Sequence, residues 1–318
     1  VKVAVVGAGV IGLSTAVCIA EGLPFSSVTI LSEKFSPDTT GDGAAGILIP
    51  EQRWFRDTFD HLRGIIETPE APEAGVFFSS GCLLYKEVPS DPNPYWANHV
   101  FGYRAMSDRE MRRFPNHKFG QNFLSFRHYY IFGHSLPIFY IDWVVECCQF
   151  GFSKKVTDLQ QLVNSYDVIV NCSGLGSRLL VGDEGVYPVR GQILKVHAPW
   201  VKNFIGGGDG GGRAYIYPGI DYITVGGTRQ VDDWRLEVDM KDTEGIMERC
   251  CQLEPSLRKA QVLEEWVGLR PGRRNPRVES EWLQAGQRRV ILVHNHGHDG
   301  CGGAGEEDVA MSKTQIKL

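Results

Sequence analysis

Val1-Lys2-Val3-Ala4-Val5-Val6-Gly7-Ala8-Gly9-Val10-Ile11-Gly12 decides the fold. A short apolar run of strand type meets Gly7-x-Gly9-x-x-Gly12, and Ile11, Leu13, Ala16, Val17 and Ala20 follow at helical spacing. In such a strand–turn–helix, Gly7 permits the tight turn, Gly9 lets backbone approach a pyrophosphate, and Gly12 lets helix pack close on strand. The pyrophosphate sits at the helix N-terminus, where unpaired N–H groups and the helix dipole favour negative charge. Ser27-Val28-Thr29-Ile30-Leu31 reads as a second strand leading to Glu33, about 20 residues beyond the glycines, where a ribose-binding carboxylate belongs. A glycine triplet alone is weak evidence, but the whole unit points to a dinucleotide.

Outside this unit, composition sets bounds. The 318 residues suit two domains or one large one, and a net charge of −5 argues against non-specific nucleic-acid binding. Apolar runs fall well short of the ~20 residues a membrane helix needs. With Val1 opening directly on the strand, no secretory signal is read, and an initiator and a few other residues are expected to be missing. Eight cysteines without a C-x-x-C pair read as reduced thiols of an intracellular protein.

Further along, Thr39-Thr40-Gly41-Asp42-Gly43-Ala44-Ala45-Gly46 is too small-chained to build core and lets a flat ligand lie against backbone. A helix is expected from Trp54 to Ile66, and Ser107 to Glu110 reads as a capping box. Residues 123–155 show no clean period, and a helix over Tyr140 to Cys148 is left open. Tyr166 to Gly174 reads as a central parallel strand whose end, Ser173-Gly174, touches a ligand. Gly191 to Val196 alternates as a strand, Gly206 to Gly212 reads as a glycine-rich loop, and Tyr215–Gly219 and Tyr222–Gly227 as further strands. Ile246 to Leu253 is expected to be helical and Arg289 to Val293 to be the last strand. The fold class is therefore α/β: a Rossmann-like nucleotide domain over residues 1–50, 156–189 and 265–318. A mainly antiparallel α+β substrate domain, 51–155 and 190–264, interrupts it.

The motifs Gly7 to Ala16, Thr39-Thr40 with Ala44-Ala45-Gly46, Val170 to Gly174, Arg190-Gly191-Gln192 and Gly268-Leu269-Arg270-Pro271 together resemble the D-amino-acid oxidase family of FAD flavoenzymes. Within it, Ala214 to Gly219 and Gly226-Gly227-Thr228-Arg229-Gln230 look like the D-aspartate oxidase branch. The resemblance implies FAD rather than NAD, with its pyrophosphate on Gly7, Ala8, Gly9, Val10, Ile11 and Gly12. Its ribose end would meet Glu33 and Lys34. The flavin would lie near Thr39, Thr40, Ala45, Gly46, Ser173 and Gly174, under a loop, His294 to Gly303, that includes Gly300, Gly302 and Gly303.

By the same resemblance Arg270 grips the substrate α-carboxylate, a task its planar fork suits, and Tyr215 adds a hydroxyl donor. A second cation for an acidic side chain would be Arg229, weighted above Arg213. The implied reaction is hydride transfer from substrate Cα to flavin N5, with no side-chain base. Its products are a 2-oxo acid and ammonia, and O2 reoxidises the flavin to give hydrogen peroxide. D-Aspartate is the implied substrate, with D-glutamate and N-methyl-D-aspartate beside it.

The alternatives are an oxidase of neutral D-amino acids, against which Arg229 stands, and a non-catalytic flavin-binding remnant. The second is raised by a segment after Pro50 shorter than in the family and by divergence after Gly303. His294, His296 and His298 alternate as three zinc ligands could, but they match a flavin-contacting loop of the family, and no metal is expected. Ile316-Lys317-Leu318 fits the peroxisomal import signal at its last two residues only, so a peroxisomal location and the import receptor as partner follow from the resemblance.

Overall fold

The structure, a computed structural model, describes residues 1–43, 55–128, 149–150, 155–207 and 214–299. Two sheets organise it. The first has six strands in the order β14-β15-β7-β1-β2-β6, comprising β1 (Lys2–Val6), β2 (Ser27–Leu31), β6 (Gln149–Phe150), β7 (Val168–Asn171), β14 (Arg277–Ala285) and β15 (Arg288–His296). All its pairings are parallel except β14 with β15. Val3 to Val6 is apolar on both faces because both are covered. Val3 and Val5 join one core with Leu13, Ala16, Val17 and Ile19 of helix α1 (Val10–Gly22), while Ala4 and Val6 pack opposite with Leu162, Ile169 and Leu292.

The second sheet has nine strands: β3 (Val76–Tyr85), β4 (Phe101–Ala105), β5 (Phe119–His128), β8 (Tyr187–His197), β9 (Phe204–Gly207), β10 (Tyr215–Pro218), β11 (Ile223–Gly226), β12 (Gln230–Val231) and β13 (Gln261–Gly272). Its pairings are antiparallel but for β3 with β9. Helix α2 (Phe55–Ile66) presents Phe59, Leu62 and Ile65 to the core that also holds Leu83, Phe123 and Phe204, so one apolar body runs between the sheets. The other face packs Leu194, Val196, Ile216 and Val225 against Ile246, Cys250 and Leu253 of the helix Met240–Leu253.

Several expectations shift. The helix expected from Ile246 starts at Met240, because Asp239 accepts the Lys241 N–H as its N-cap. Strand β8 does not alternate: residues 188–194 are all buried, and β11, β12 and β13 pair along it. Gly206 and Gly207 belong to β9 rather than to a loop. The last strand runs on to His296. The Ser107–Glu110 capping box forms, with Ser107 N–H and Oγ both donating to Glu110 Oε2 at 2.8 Å. The helix considered over Tyr140 to Cys148 lies outside the described residues. Cys82, Cys172, Cys250 and Cys251 are free thiols, and among the described residues no helix is long and apolar enough to cross a membrane.

Candidate functional site

The nucleotide end is built at the carboxyl ends of β1, β2 and β7. Gly7 turns with φ +112°, and a Cβ there would stand 2.4 Å from Cys172 O. A Cβ at Gly12 would stand 2.0 Å from Gly7 O, so helix and turn touch backbone to backbone. A Cβ at Gly9, the extended N-cap residue of α1, would meet nothing within 4 Å. Among the described residues no side chain caps α1, and its first turn carries no acidic residue. That leaves N–H donors of Val10, Ile11 and Gly12 and the positive end of a 13-residue helix for a ligand anion. A diphosphate fits this cradle.

The other nucleotide candidates take defined places. Glu33, just beyond β2, stays largely exposed and pairs with Lys155 at 3.1 Å, while Lys34 is exposed beside it. Thr39 donates its N–H (2.8 Å) and hydroxyl (2.6 Å) to Asp42 Oδ2, and Ser36 donates to Asp42 Oδ1 at 2.7 Å. Asp42, which the sequence reading passed over, thus fixes the turn. Thr40 donates to Leu269 O at 3.3 Å and joins this turn to β13. Ser173 Oγ donates to Asn171 Oδ1 at 2.6 Å, and Gly174, at φ +54°, abuts Pro271. Ala45, Gly46, Arg213, Gly300, Gly302 and Gly303 lie outside the described residues.

The substrate candidates sit on β10, β13 and the chain after β11. Gly191 and Gly268 face each other across β8 and β13. Trp266 covers Gly268 and also reaches Gly43, while the Arg270 guanidinium lies over Gly191. Arg270 Nη1 donates to Thr228 O at 3.2 Å. Tyr215 stacks on Tyr217 (centroids 4.6 Å apart, 13° between planes) and brings its hydroxyl against the Gly226–Gly227 backbone. The Tyr215 hydroxyl and the Arg270 guanidinium therefore meet neighbouring stretches of the same backbone, Gly226 to Thr228, with Arg229 next along the chain.

Arg229 is engaged. Its Nη2 donates to Asp299 at 2.6 Å, both side chains are partly buried, and its buried Nε has no hydrogen-bond partner among the described residues. Asp299 holds φ +55° and donates its N–H to Pro271 O at 2.8 Å, so it reaches Arg229 from beside Arg270. Asp299 and Trp266 carry no sequence motif, and only the tertiary structure shows their roles.

The three histidines of 294–298 have three different partners. His294 Nε2 bonds Glu281 at 2.9 Å, His296 Nε2 bonds Asp183 at 2.9 Å, and His298 Nε2 bonds Asn295 Oδ1 at 2.7 Å. Asn295 Nδ2 donates in turn to Thr15 Oγ1 of α1 at 3.1 Å. Burial lowers the pKa of all three imidazoles, and that of His298 falls to about 4, helped by the nearby His296. Burial pushes the Asp183 carboxyl up, but the His296 hydrogen bond and the Arg273 guanidinium outweigh it and hold it below its ordinary value. Among the described residues no group of His, Cys, Asp and Glu is placed to hold a metal ion.

The family model described as FAD dependent oxidoreductase (DAO) matches residues 2–305. The D-aspartate oxidase of Homo sapiens is 45% identical over 316 residues, covering 95% of this chain and 90% of that protein. The D-amino acid oxidase of Dugesia ryukyuensis is 34% identical, covering 94% and 92%. Among solved structures, glycine oxidase from Geobacillus kaustophilus shares the fold, with a TM-score of 0.72 at 17% identity over 95% of this chain and 90% of that one. A diphosphate cradle on an uncapped helix, a parallel sheet beside an antiparallel one and a match over nearly the whole length agree: the chain belongs to the DAO family of FAD-dependent oxidoreductases.

Proposed function

We propose that this chain oxidatively deaminates acidic D-amino acids, D-aspartate first, with D-glutamate and N-methyl-D-aspartate beside it, giving 2-oxo acid, ammonia and hydrogen peroxide. The observation that carries the reading is that two arginines come close in the fold, joined through Thr228 on one side and through Pro271 and Asp299 on the other. Arg270 bonds Thr228 O, and Arg229 is the next residue along. A neutral amino acid needs one guanidinium for its α-carboxylate, whereas a dicarboxylate uses two.

In this reading Arg270, seated on Gly191, takes the α-carboxylate and fixes its plane, with the Tyr215 hydroxyl as a further donor. Arg229 takes the side-chain carboxylate. Together they hold the substrate at two points, which sets the direction of the Cα–H bond, and positioning of this kind lowers the barrier without a side-chain base. The α1 cradle from Gly7 to Gly12 would hold the FAD diphosphate, Glu33 and Lys34 would border its ribose, and Thr39, Thr40, Ser173 and Gly174 would border the rest. When bound, FAD supplies the acceptor for the Cα hydride and passes the electrons to O2. Peroxide as product favours a peroxisomal location, which a fluorescent fusion would test.

The Asp299 carboxylate on Arg229 favours a second reading, oxidation of neutral D-amino acids. Anaerobic mixing of the holoenzyme with D-aspartate or D-alanine separates the two by the rate of flavin bleaching. Faster bleaching by D-aspartate is expected. Arg229→Leu should lower the aspartate-to-alanine ratio of kcat/KM about 100-fold, the worth of a desolvated charge-assisted pair. Bleaching by D-alanine alone would overturn the acidic assignment, and bleaching by neither would overturn the activity.

A further inference from the structure

An arginine presents a carboxylate with an edge of two parallel N–H groups, and on the Nε side that edge is Nε with Nη2. On Arg229 this edge is half used. Nη2 donates to Asp299 Oδ2 at 2.6 Å, while Nε is buried and unmatched. A substrate carboxylate approaching the same edge meets a carboxylate already there, and two like charges at contact distance repel. Asp299 is held in place by its own backbone: its N–H donates to Pro271 O at 2.8 Å, directly after Arg270, and it turns through the left-handed region at φ +55°, which Asp and Asn accept more readily than other non-glycine residues. The carboxylate is therefore anchored to the strand that carries one substrate arginine and extended to the other.

We infer that Asp299 is a specificity-determining residue: it competes with the substrate's side-chain carboxylate for Arg229 and so sets how strongly the site prefers acidic over neutral D-amino acids. The inference rests on the role of Arg229 proposed above. A dicarboxylate must displace Asp299 to reach the Nε–Nη2 edge. A neutral substrate, bound through Arg270, leaves the Arg229–Asp299 pair intact.

The test uses the holoenzyme and two variants. Asp299→Asn keeps size and tolerates the left-handed conformation, and Asp299→Gly removes both the carboxylate and the backbone constraint. In each, the ratio of kcat/KM for D-aspartate to that for D-alanine should rise about tenfold, the worth of one charge-assisted contact. Calorimetry gives a readout without turnover. Succinate, aspartate without its amine, should bind about tenfold more tightly to each variant relative to propionate, alanine without its amine. In an Arg229→Leu background the Asp299 substitution should change neither ratio. Unchanged or lowered ratios in both variants would overturn the competition. If Arg229→Leu alone leaves the aspartate-to-alanine ratio unchanged, the role of Arg229 fails and takes the inference with it. If Arg229→Leu lowers that ratio while the Asp299 variants do not raise it, the inference alone fails.

Discussion

Arg270 rests so closely on Gly191 that a Cβ on the glycine would stand 2.2 Å from Nη1 and 2.4 Å from Cζ and Nη2. The contact is diagonal across two strands, since Arg270 is paired in register with Val189. No side chain other than glycine's leaves room for the guanidinium to lie flat there.

Gly191→Ala should therefore lift Arg270 out of its seat and break its bond to Thr228 O. A displacement of about 1 Å in a positioning group costs on the order of 100-fold in rate. The expected result is a fall of that size in kcat/KM for acidic and neutral D-amino acids alike, with FAD content unchanged. Steady-state kinetics on both substrate types and the flavin-to-protein absorbance ratio check it.

Arg190, one residue away, works on the opposite face and for stability. It is wholly buried and donates to Gln230 Oε1 (2.6 Å), Asp242 Oδ2 (2.9 Å), Gln192 Oε1 (3.0 Å) and the carbonyls of Arg235 and Glu237. Arg190→Met would leave the Asp242 carboxylate without its cation and the Arg235 and Glu237 carbonyls without this donor, at a cost of about 3–5 kcal/mol. Chemical unfolding monitored by tryptophan fluorescence should show this loss, and a loss under about 1 kcal/mol would contradict the network's assigned role.

At the other end of the site, Gly7→Ala would force a Cβ to 2.4 Å from Cys172 O at a φ of +112°. Strain of about 1–3 kcal/mol at the diphosphate cradle corresponds to about a 10- to 100-fold loss of FAD affinity. Titration of apoprotein with FAD, followed by quenching of flavin fluorescence, reads it directly. Unchanged affinity would mean that the turn is not where the diphosphate lies.

Acid should weaken the fold before it protonates most carboxylates. His298 titrates near 4 in the folded chain, against 6.5 for an unperturbed imidazole, and His294 and His296 shift in the same direction. Between those values the unfolded chain binds a proton that the native His298 refuses, so stability is full above about pH 6.5 and falls toward pH 4, by about 1.4 kcal/mol per pH unit per proton. Asp183 acts lower, where its depressed carboxyl pKa withdraws support only as pH drops below the ordinary carboxylate range. Melting temperatures at pH 7.5 and 5.0 should differ less in His298→Asn than in the parent.

The nucleotide unit was legible because its signals are local: a strand, three glycines, a helix and a second strand within 33 residues. The interior of the second sheet was less so. Gln261–Gly272 is a full strand containing Pro271 and two glycines, residues that argue against a strand when read alone, yet it pairs along the whole of β8. Arg277–Ala285 reads as polar because it is the edge of the first sheet with much of its surface in water. Family motifs brought Arg229, Arg270 and Tyr215 into view as separate residues. That Asp299 joins the first of them depends on a separation of 70 positions along the chain and one left-handed turn, which no local pattern encodes.

The stretch from Asn295 to Asp299 touches Thr15 on α1 through Asn295, Pro271 through the Asp299 N–H and Arg229 through the Asp299 carboxylate. Five consecutive residues thus tie α1, β13 and the chain after β11 together. An insertion or deletion among them would reach all of these contacts at once. For a protein engineer, this stretch is a poor place to cut when loops are exchanged, since one short segment is fastened to α1, to β13 and to Arg229.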